Sequence, residues 1–257
     1  MPYNPGMVAL AVLDHDQDSS PQRLYRRAVQ LWSSQVAQET GFGPATAYTR
    51  TDMAGIAEAN CLMGDVLPEH WPAIHAHFAQ AGTKPLAWHL PQPEVAPEGM
   101  RPHPLVVYRL GVMPTDLPRT HPDLTIIPAR ASFPHVAQIM PAMYPSAPAS
   151  QAQEAAMCHL DDSRVDAILA IQGDRAVAYA SVLSIGDAGF VQEFFVHPDA
   201  RGRGYGRAMA GWIFDICIRS VFKQVLCVLP VDTPASVNLA QKYGFAPECE
   251  LLSFVRE

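Results

Sequence analysis

The stretch VQEFFVHPDARGRGYGRAMAGWIFDICI, Val191–Ile218, decides how this chain is read. An apolar run closes at Pro198, and glycines follow at Gly202, Gly204 and Gly206. Beyond them Tyr205, Met209, Trp212, Ile213 and Ile216 recur with helical spacing and form one core-facing stripe. A strand, a glycine-studded turn and a helix, in that order, make an anion site. The first helical N–H groups lack intrahelical partners, and the helix dipole adds partial positive charge there. Glycines let the backbone approach a phosphate with no Cβ in the way. The plainer alternative is a tight turn without a ligand. Against it stand Arg201, Arg203 and Arg207, clustered around the glycines in a chain of formal net charge -7.

The glycine spacing selects among phosphate motifs. The dinucleotide fingerprint G-x-G-x-x-G fails, since its sixth position falls on Arg207 or Met209. The Walker pattern fails because no Gly-Lys-Ser/Thr follows. What fits is R-x-x-G-x-G, at Arg201, Gly204 and Gly206, preceded by V-x-P at Val196–Pro198. VHPDARGRGYGRAM resembles the pyrophosphate loop of the GNAT superfamily of N-acetyltransferases, and PASVNLAQKYGF, Pro234–Phe245, is similar to that family's second motif. The resemblance runs from Leu124 to Glu257.

The resemblance implies an α/β fold with a mixed, mostly antiparallel sheet flanked by helices, and acetyl-CoA (coenzyme A) as acyl donor. The strand before the loop carries a bulge and splays from its neighbour, and the pantetheine arm lies in the gap. Cofactor contacts then fall on the backbone of Phe194, Phe195 and Val196 and on the loop Arg201, Gly202, Arg203, Gly204, Tyr205, Gly206 and Arg207. The N–H of Phe194 or Phe195 polarises the thioester carbonyl. Phe190, Phe194 and Phe195 are placed to line the acyl pocket.

One departure concerns the general acid. Many members carry a tyrosine five residues before the phenylalanine of G-F, where this chain has Ala240. Tyr243 stands at a packing position and is read as a core aromatic. The stretch instead resembles an N-x-x-S subgroup, with Thr233 at the asparagine position and Ser236 at the serine. Ser236 is the candidate to bond the CoA sulfur and Thr233 a cofactor contact; an ordinary first-turn serine is the alternative. For the general base, strand parity puts Phe190 and Gln192 on the acceptor face. Glu193, the carboxylate of this strand, points the other way unless a bulge re-aims it. A water chain to Glu248 or Glu250, or an amine that arrives neutral, would also serve.

The rest of the chain sets the frame. Its 257 residues, 49% apolar and 17% charged, allow one large domain or two small ones. The acidic balance argues against nucleic acid or an anionic membrane as partner and mildly favours a cationic acceptor, a small amine or a peptide N-terminus. The cysteines form no C-x-x-C pair, which suits reduced thiols in a cytoplasmic protein. His70, His75 and His77 do not share a helix face, so no metal site is expected. MPYNPGMVALAVLDHD reads as a strand or irregular lead-in without the basic region of a signal peptide, and no apolar run is long enough to span a membrane.

Prolines concentrate between Pro91 and Pro122, which places a boundary between a domain at 1–117 and a GNAT acetyltransferase domain at 118–257. The first domain is expected to hold helices in SPQRLYRRAVQLWSSQVAQ, capped by Ser19 or Ser20, and in LPEHWPAIHAHFAQAG, with strands in KPLAWHL and HPLVVYRLG. It loosely resembles the smaller, degenerate α/β first half of tandem family members; an unrelated cap that shapes the acceptor site is the rival. The second domain reads β-α-α-β-β-β-α-β-α-β, with ECELLSFVR as one closing strand. The chain is expected to be a monomer or homodimer. Two functions follow: direct acetyl transfer from acetyl-CoA to a primary amine, or a non-catalytic acyl-CoA-binding module.

Overall fold

A computed structural model describes residues 20–90, 97–114 and 116–256. The lead-in at 1–16, Ser19 and the start of the proline zone at 91–96 lie outside the described residues. Helix α1 spans Pro21–Val36. Ser20 is its N-cap without a side-chain bond, so the start rests on Pro21, whose fixed φ suits a first helical turn. Tyr25, Ala28, Leu31, Trp32 and Val36 make its buried face. Strands β1 (Gln38–Phe42) and β2 (Ala45–Thr49) form a hairpin that the sequence pattern does not announce. Strand β3 (Cys61–Met63) leads to α2 (Trp71–Gln80), and β4 (Ala87–His89), β5 (Met100–Pro102) and β6 (Leu105–Leu110) follow.

The second half matches the expected order. It contains β7 (Thr125–Pro128), α3 (Phe133–Met143), α4 (Ala149–Asp161), β8 (Val165–Gln172), β9 (Arg175–Ile185) and β10 (Ala188–Val196). Then come α5 (Tyr205–Arg219), β11 (Gln224–Pro230), α6 (Pro234–Lys242), β12 (Phe245–Leu251) and β13 (Ser253–Arg256). Ser132 is the N-cap residue of α3, but its hydroxyl bonds the His135 ring rather than a backbone N–H. The single strand expected in ECELLSFVR is two strands broken at Leu252, because its halves belong to different sheets.

One sheet has the order β1-β2-β3-β4-β13-β5, the other β12-β6-β11-β10-β9-β8-β7. Both follow one plan. Two antiparallel steps in the first sheet, and three in the second, lead to one parallel pair, bridged by a crossover helix: β3 with β4 across α2, and β10 with β11 across α5. Two antiparallel steps complete each sheet. The strands that finish the plan are exchanged. β6 leaves the first sheet and lies between β11 and β12, while β13 crosses back between β4 and β5. The first half is thus a smaller α/β copy of the second. No single cut separates the sheets: one after residue 117 leaves β6 with the first piece and β13 with the second.

Both exchanged strands bury apolar side chains where they pair. β6 reads LVVYRL, an apolar run suited to a strand covered on both faces. Val107 enters the core shared with α1, α3 and α4, and Val106 and Tyr108 the core under α5. In β13, Phe254 is buried with its ring 5.6 Å from Trp88.

The segment between the halves is strapped to α5. Trp212 Nε1 donates to the Arg119 carbonyl at 2.6 Å, and Arg119 pairs with Asp215 at 2.5 Å. A Cβ on Gly211 would meet Pro118 O at 2.4 Å, so this contact needs glycine. Gly211→Ala is expected to lose about 1–3 kcal/mol of stability, because the overlap is with backbone. Urea unfolding measures it, and an unchanged midpoint would contradict the strap. Trp212, placed in the α5 core stripe by its spacing, is thereby only half-buried, while Tyr205, Met209, Ile213 and Ile216 are buried. Among the described residues no helix is long and apolar enough to cross a membrane.

Candidate functional site

The site forms where β10 leaves β11. Their parallel register runs from Ala188↔Gln224 to Val191↔Cys227 and stops there. β10 continues beside β9, while β11 continues beside β6, so the sheet opens into a wedge. The ladder also slips: Val191 pairs with Val182 and Glu193 with Ser181, leaving Gln192 as the extra residue of a bulge. The bulge reverses the expected parity. Phe190, Glu193 and Phe195 face the side toward α1, α3 and α4, whereas Val191, Phe194 and Val196 face α5. Glu193, not Gln192, therefore shares a face with Phe190.

The backbone beyond the bulge can be oriented. His197 N–H donates to Val177 O of β9 at 2.8 Å. Successive peptide groups alternate in direction along a strand, so the N–H of Phe195 faces β9 and those of Phe194 and Val196 face the wedge. The sequence left Phe194 and Phe195 open as donors; this alternation favours Phe194.

Glu193 is enclosed by polar partners. Tyr144 Oη donates to its Oε1 at 2.6 Å, and Ser181 Oγ donates to its Oε2 at 2.7 Å. Burial raises the carboxyl's pKa above its ordinary value, against the opposing pull of His159 and the two hydroxyls. Burial, reinforced by the Glu193 charge, also raises the Tyr144 phenol well above its ordinary value, which keeps it a donor. Tyr144 and Ser181 were not legible in the sequence. Tyr144 ends α3, 49 positions away, and no local pattern links it to Glu193.

The glycine turn opens α5 as expected. Gly202 and Gly204 adopt φ of +76° and +86°, and Gly204 is the N-cap of α5. A Cβ on Gly202 would meet nothing within 4 Å, so the turn faces open space. The amides of Gly204, Tyr205 and Gly206 precede any intrahelical acceptor and are available to an anion. Arg203 and Arg207 are exposed around them. Arg201 is exposed as well, and its Nε donates to the Val196 carbonyl at 3.1 Å, tying turn to strand. The Tyr205 side chain is buried, so what this residue offers the turn is its backbone.

A cavity of about 270 Å³ fills the wedge between β10, β11, α5 and α6. Glu193, Phe194, Cys227, Leu229, Ser236 and Tyr243 are among its lining residues. Ser236 is exposed on the first turn of α6. Thr233 caps that helix without a side-chain cap bond; its hydroxyl donates to Pro230 O at 2.8 Å and keeps only lone pairs for a ligand. Tyr243 packs edge-on to Phe214, as its spacing suggests, and also lines the cavity.

Comparison with known proteins agrees with this geometry. The acetyltransferase (GNAT) family model matches residues 133–245. The chain carries a GNAT acetyltransferase domain. A conserved Staphylococcus epidermidis protein of unknown function is similar with a TM-score of 0.64 at 12% identity, over 86% of this chain and 94% of that one. A GCN5-related N-acetyltransferase from Kribbella flavida has a TM-score of 0.59 at 15% identity, over 93% and 96% of the two chains. A tandem GNAT protein from the clavulanic acid biosynthesis pathway has a TM-score of 0.50 at 12% identity, over 74% and 61%. At such identities the likeness concerns the fold. A search of curated proteins gave no match. Outside that domain, the first half repeats the strand plan on a smaller scale. The stretch between β3 and α2, GDVLPEHW, holds no R-x-x-G-x-G.

Proposed function

We propose that this protein transfers an acetyl group from acetyl-CoA to a primary amine by direct attack. The observation that supports the reading is the wedge with its bulge: Glu193 turns toward Tyr144 and Ser181, and the Phe194 N–H points into the wedge. Acetyl-CoA, when bound, supplies an activated acetyl thioester. The amides that open α5, with Arg203 and Arg207, hold its phosphates, and the wedge-facing backbone of Phe194 and Val196 orients the arm. Glu193 accepts a proton from the incoming ammonium; burial raises its pKa and so strengthens it as a base. The Phe194 N–H stabilises charge that develops on the carbonyl oxygen. Ser236 Oγ donates a hydrogen bond to the departing sulfur. Enclosure between the two halves positions the reactants, a contribution no single group supplies.

Thiol release from acetyl-CoA with a panel of amines tests this. Turnover with at least one amine is expected. The glycine turn gives the control: Gly204→Glu puts a side chain into the left-handed region and a negative charge at the helix start. It is expected to weaken acetyl-CoA binding by about tenfold or more, read by calorimetry. Binding without turnover on any amine would favour the acyl-CoA-binding module, for which Ala240 in place of the tyrosine speaks. Unchanged binding in the Gly204 variant would overturn the assignment of the turn.

A further inference from the structure

The segment that joins the two halves ends beside the glycine turn. Pro118 and Arg119 are strapped to α5, and the chain then turns at His121, whose carbonyl accepts from the Leu124 N–H at 3.1 Å. The His121 ring packs edge-on to Tyr205, the first residue of α5, with centroids 4.9 Å apart and planes at 81°. The Tyr205 side chain is buried in the core, so the imidazole rests on a fixed support. His121 itself is half-buried and open to solvent on one side.

The proton on this ring can be assigned from its network. Nδ1 accepts from the backbone N–H of Asp123 at 3.2 Å. A neutral imidazole has one donor and one acceptor, so the proton sits on Nε2. Among the described residues that N–H has no partner. Nε2 lies 3.7 Å from the point where a Cβ on Gly204 would stand. That is van der Waals contact, so a side chain at position 204 would cover the donor. Glycine at this N-cap leaves the imidazole N–H uncovered, beside the amides that open α5.

The charges around the turn have the same sense. Among the described residues the guanidinium groups of Arg203 and Arg207 have no hydrogen bond or ion pair. Asp199, the acid nearest the turn in sequence, is paired with Arg175 at 3.1 Å. Asp123 serves His121 through its backbone, and its carboxylate is exposed. In a chain of formal net charge -7, unpaired cations and N–H donors from two separate segments are thus gathered at one place.

We propose that His121 is a cofactor-binding residue, whose Nε2–H donates to the pyrophosphate of acetyl-CoA on the glycine turn. A pyrophosphate has oxygens on two phosphorus atoms, so it can accept from the α5 amides and from a ring beside them. The inference rests on the turn holding the phosphates of the acyl donor, as argued under Proposed function. It gives the segment between the halves a task beyond connection. The bound donor holds one end of that segment at His121, while Gly211 and Trp212 hold the other.

Calorimetry on the full chain tests it, with acetyl-CoA, its 3′-dephospho form and S-acetylpantetheine as probes. His121→Phe keeps a ring against Tyr205 and removes the donor. It is expected to bind acetyl-CoA and the dephospho form about tenfold more weakly, the lower end for a hydrogen bond to a charged group. S-acetylpantetheine carries no phosphate and is expected to bind the variant as it binds the parent. His121→Gln, whose amide offers an N–H at similar reach, is expected to keep most of the parental affinity. Parental acetyl-CoA affinity in His121→Phe overturns the contact, and so does an equal loss in His121→Gln. A loss that vanishes with the dephospho form would assign the ring to the 3′-phosphate and overturn the pyrophosphate contact. A loss that extends to S-acetylpantetheine would leave His121 a structural role only. Gly204→Glu separates this inference from the reading beneath it. Weakened binding there, with parental binding in His121→Phe, sinks the histidine contact alone. A parent that does not bind acetyl-CoA sinks the turn and the contact together.

Discussion

Glu193→Gln lowers kcat for acetyl transfer by about 10²- to 10⁴-fold, the usual worth of a positioned general base. Acetyl-CoA affinity stays near that of the parent, since the turn and the wedge backbone are untouched. The pH profile gives the sharper reading. The base must be ionised to act, and burial raises the pKa of Glu193 in the folded protein. Activity is therefore lost as pH falls through that raised value, above the ordinary carboxylate range, and the limb disappears in the glutamine variant. Stability moves in the opposite sense. A carboxyl whose folded pKa is raised ionises at a cost, so its contribution favours the fold below the ordinary value and is lost as pH rises through the raised one. Glu193→Gln is accordingly expected to keep or slightly raise the melting temperature near neutral pH, with Tyr144 and Ser181 still bonded to the amide. A variant that retains parental kcat and its acid limb would remove Glu193 from the mechanism.

Ending the chain after Leu252 unfolds the first sheet, although every residue of β1 to β5 is still present. β13 lies between β4 and β5, so its loss exposes two strand edges and the Trp88 ring face. The milder Phe254→Ala is expected to cost about 3–5 kcal/mol, because this side chain is 1% exposed and well packed. The reciprocal experiment concerns β6. A fragment starting at residue 118 lacks the strand between β11 and β12 and is expected to be insoluble, whereas one starting at Pro104 completes that sheet. Circular dichroism and acetyl-CoA binding on the two fragments decide the matter. A well-folded 118–257 fragment would show that β6 is dispensable.

Much of the second half was legible because its signals are local. The apolar runs of β8 and β9, the Gly173-Asp174 pair between them and the stripe of α5 each lie within about a dozen residues. The first half was less so. Its β1–β2 hairpin runs QETGFGPATAYT, where polar and small residues hide the period of two. In the site, the glycine turn was readable from spacing, but the orientation of Glu193 was not. A bulge inserts one residue into a ladder, and that is a property of two strands together.

The sequence by itself determined the anion-binding turn, its arginines, the order of strands and helices and the departure at Ala240. Each depends on residue types a few positions apart, where backbone sterics and side-chain periodicity act directly. Tertiary structure alone decided three things: that β6 and β13 change sheets, that the bulge at Gln192 turns Glu193 toward Tyr144 and Ser181, and that Glu58 of the first half meets His159 of the second. The physical reason is common to all three. A strand carries the same apolar pattern whichever partner it pairs with, and a buried polar group shows its partner only once distant segments have packed.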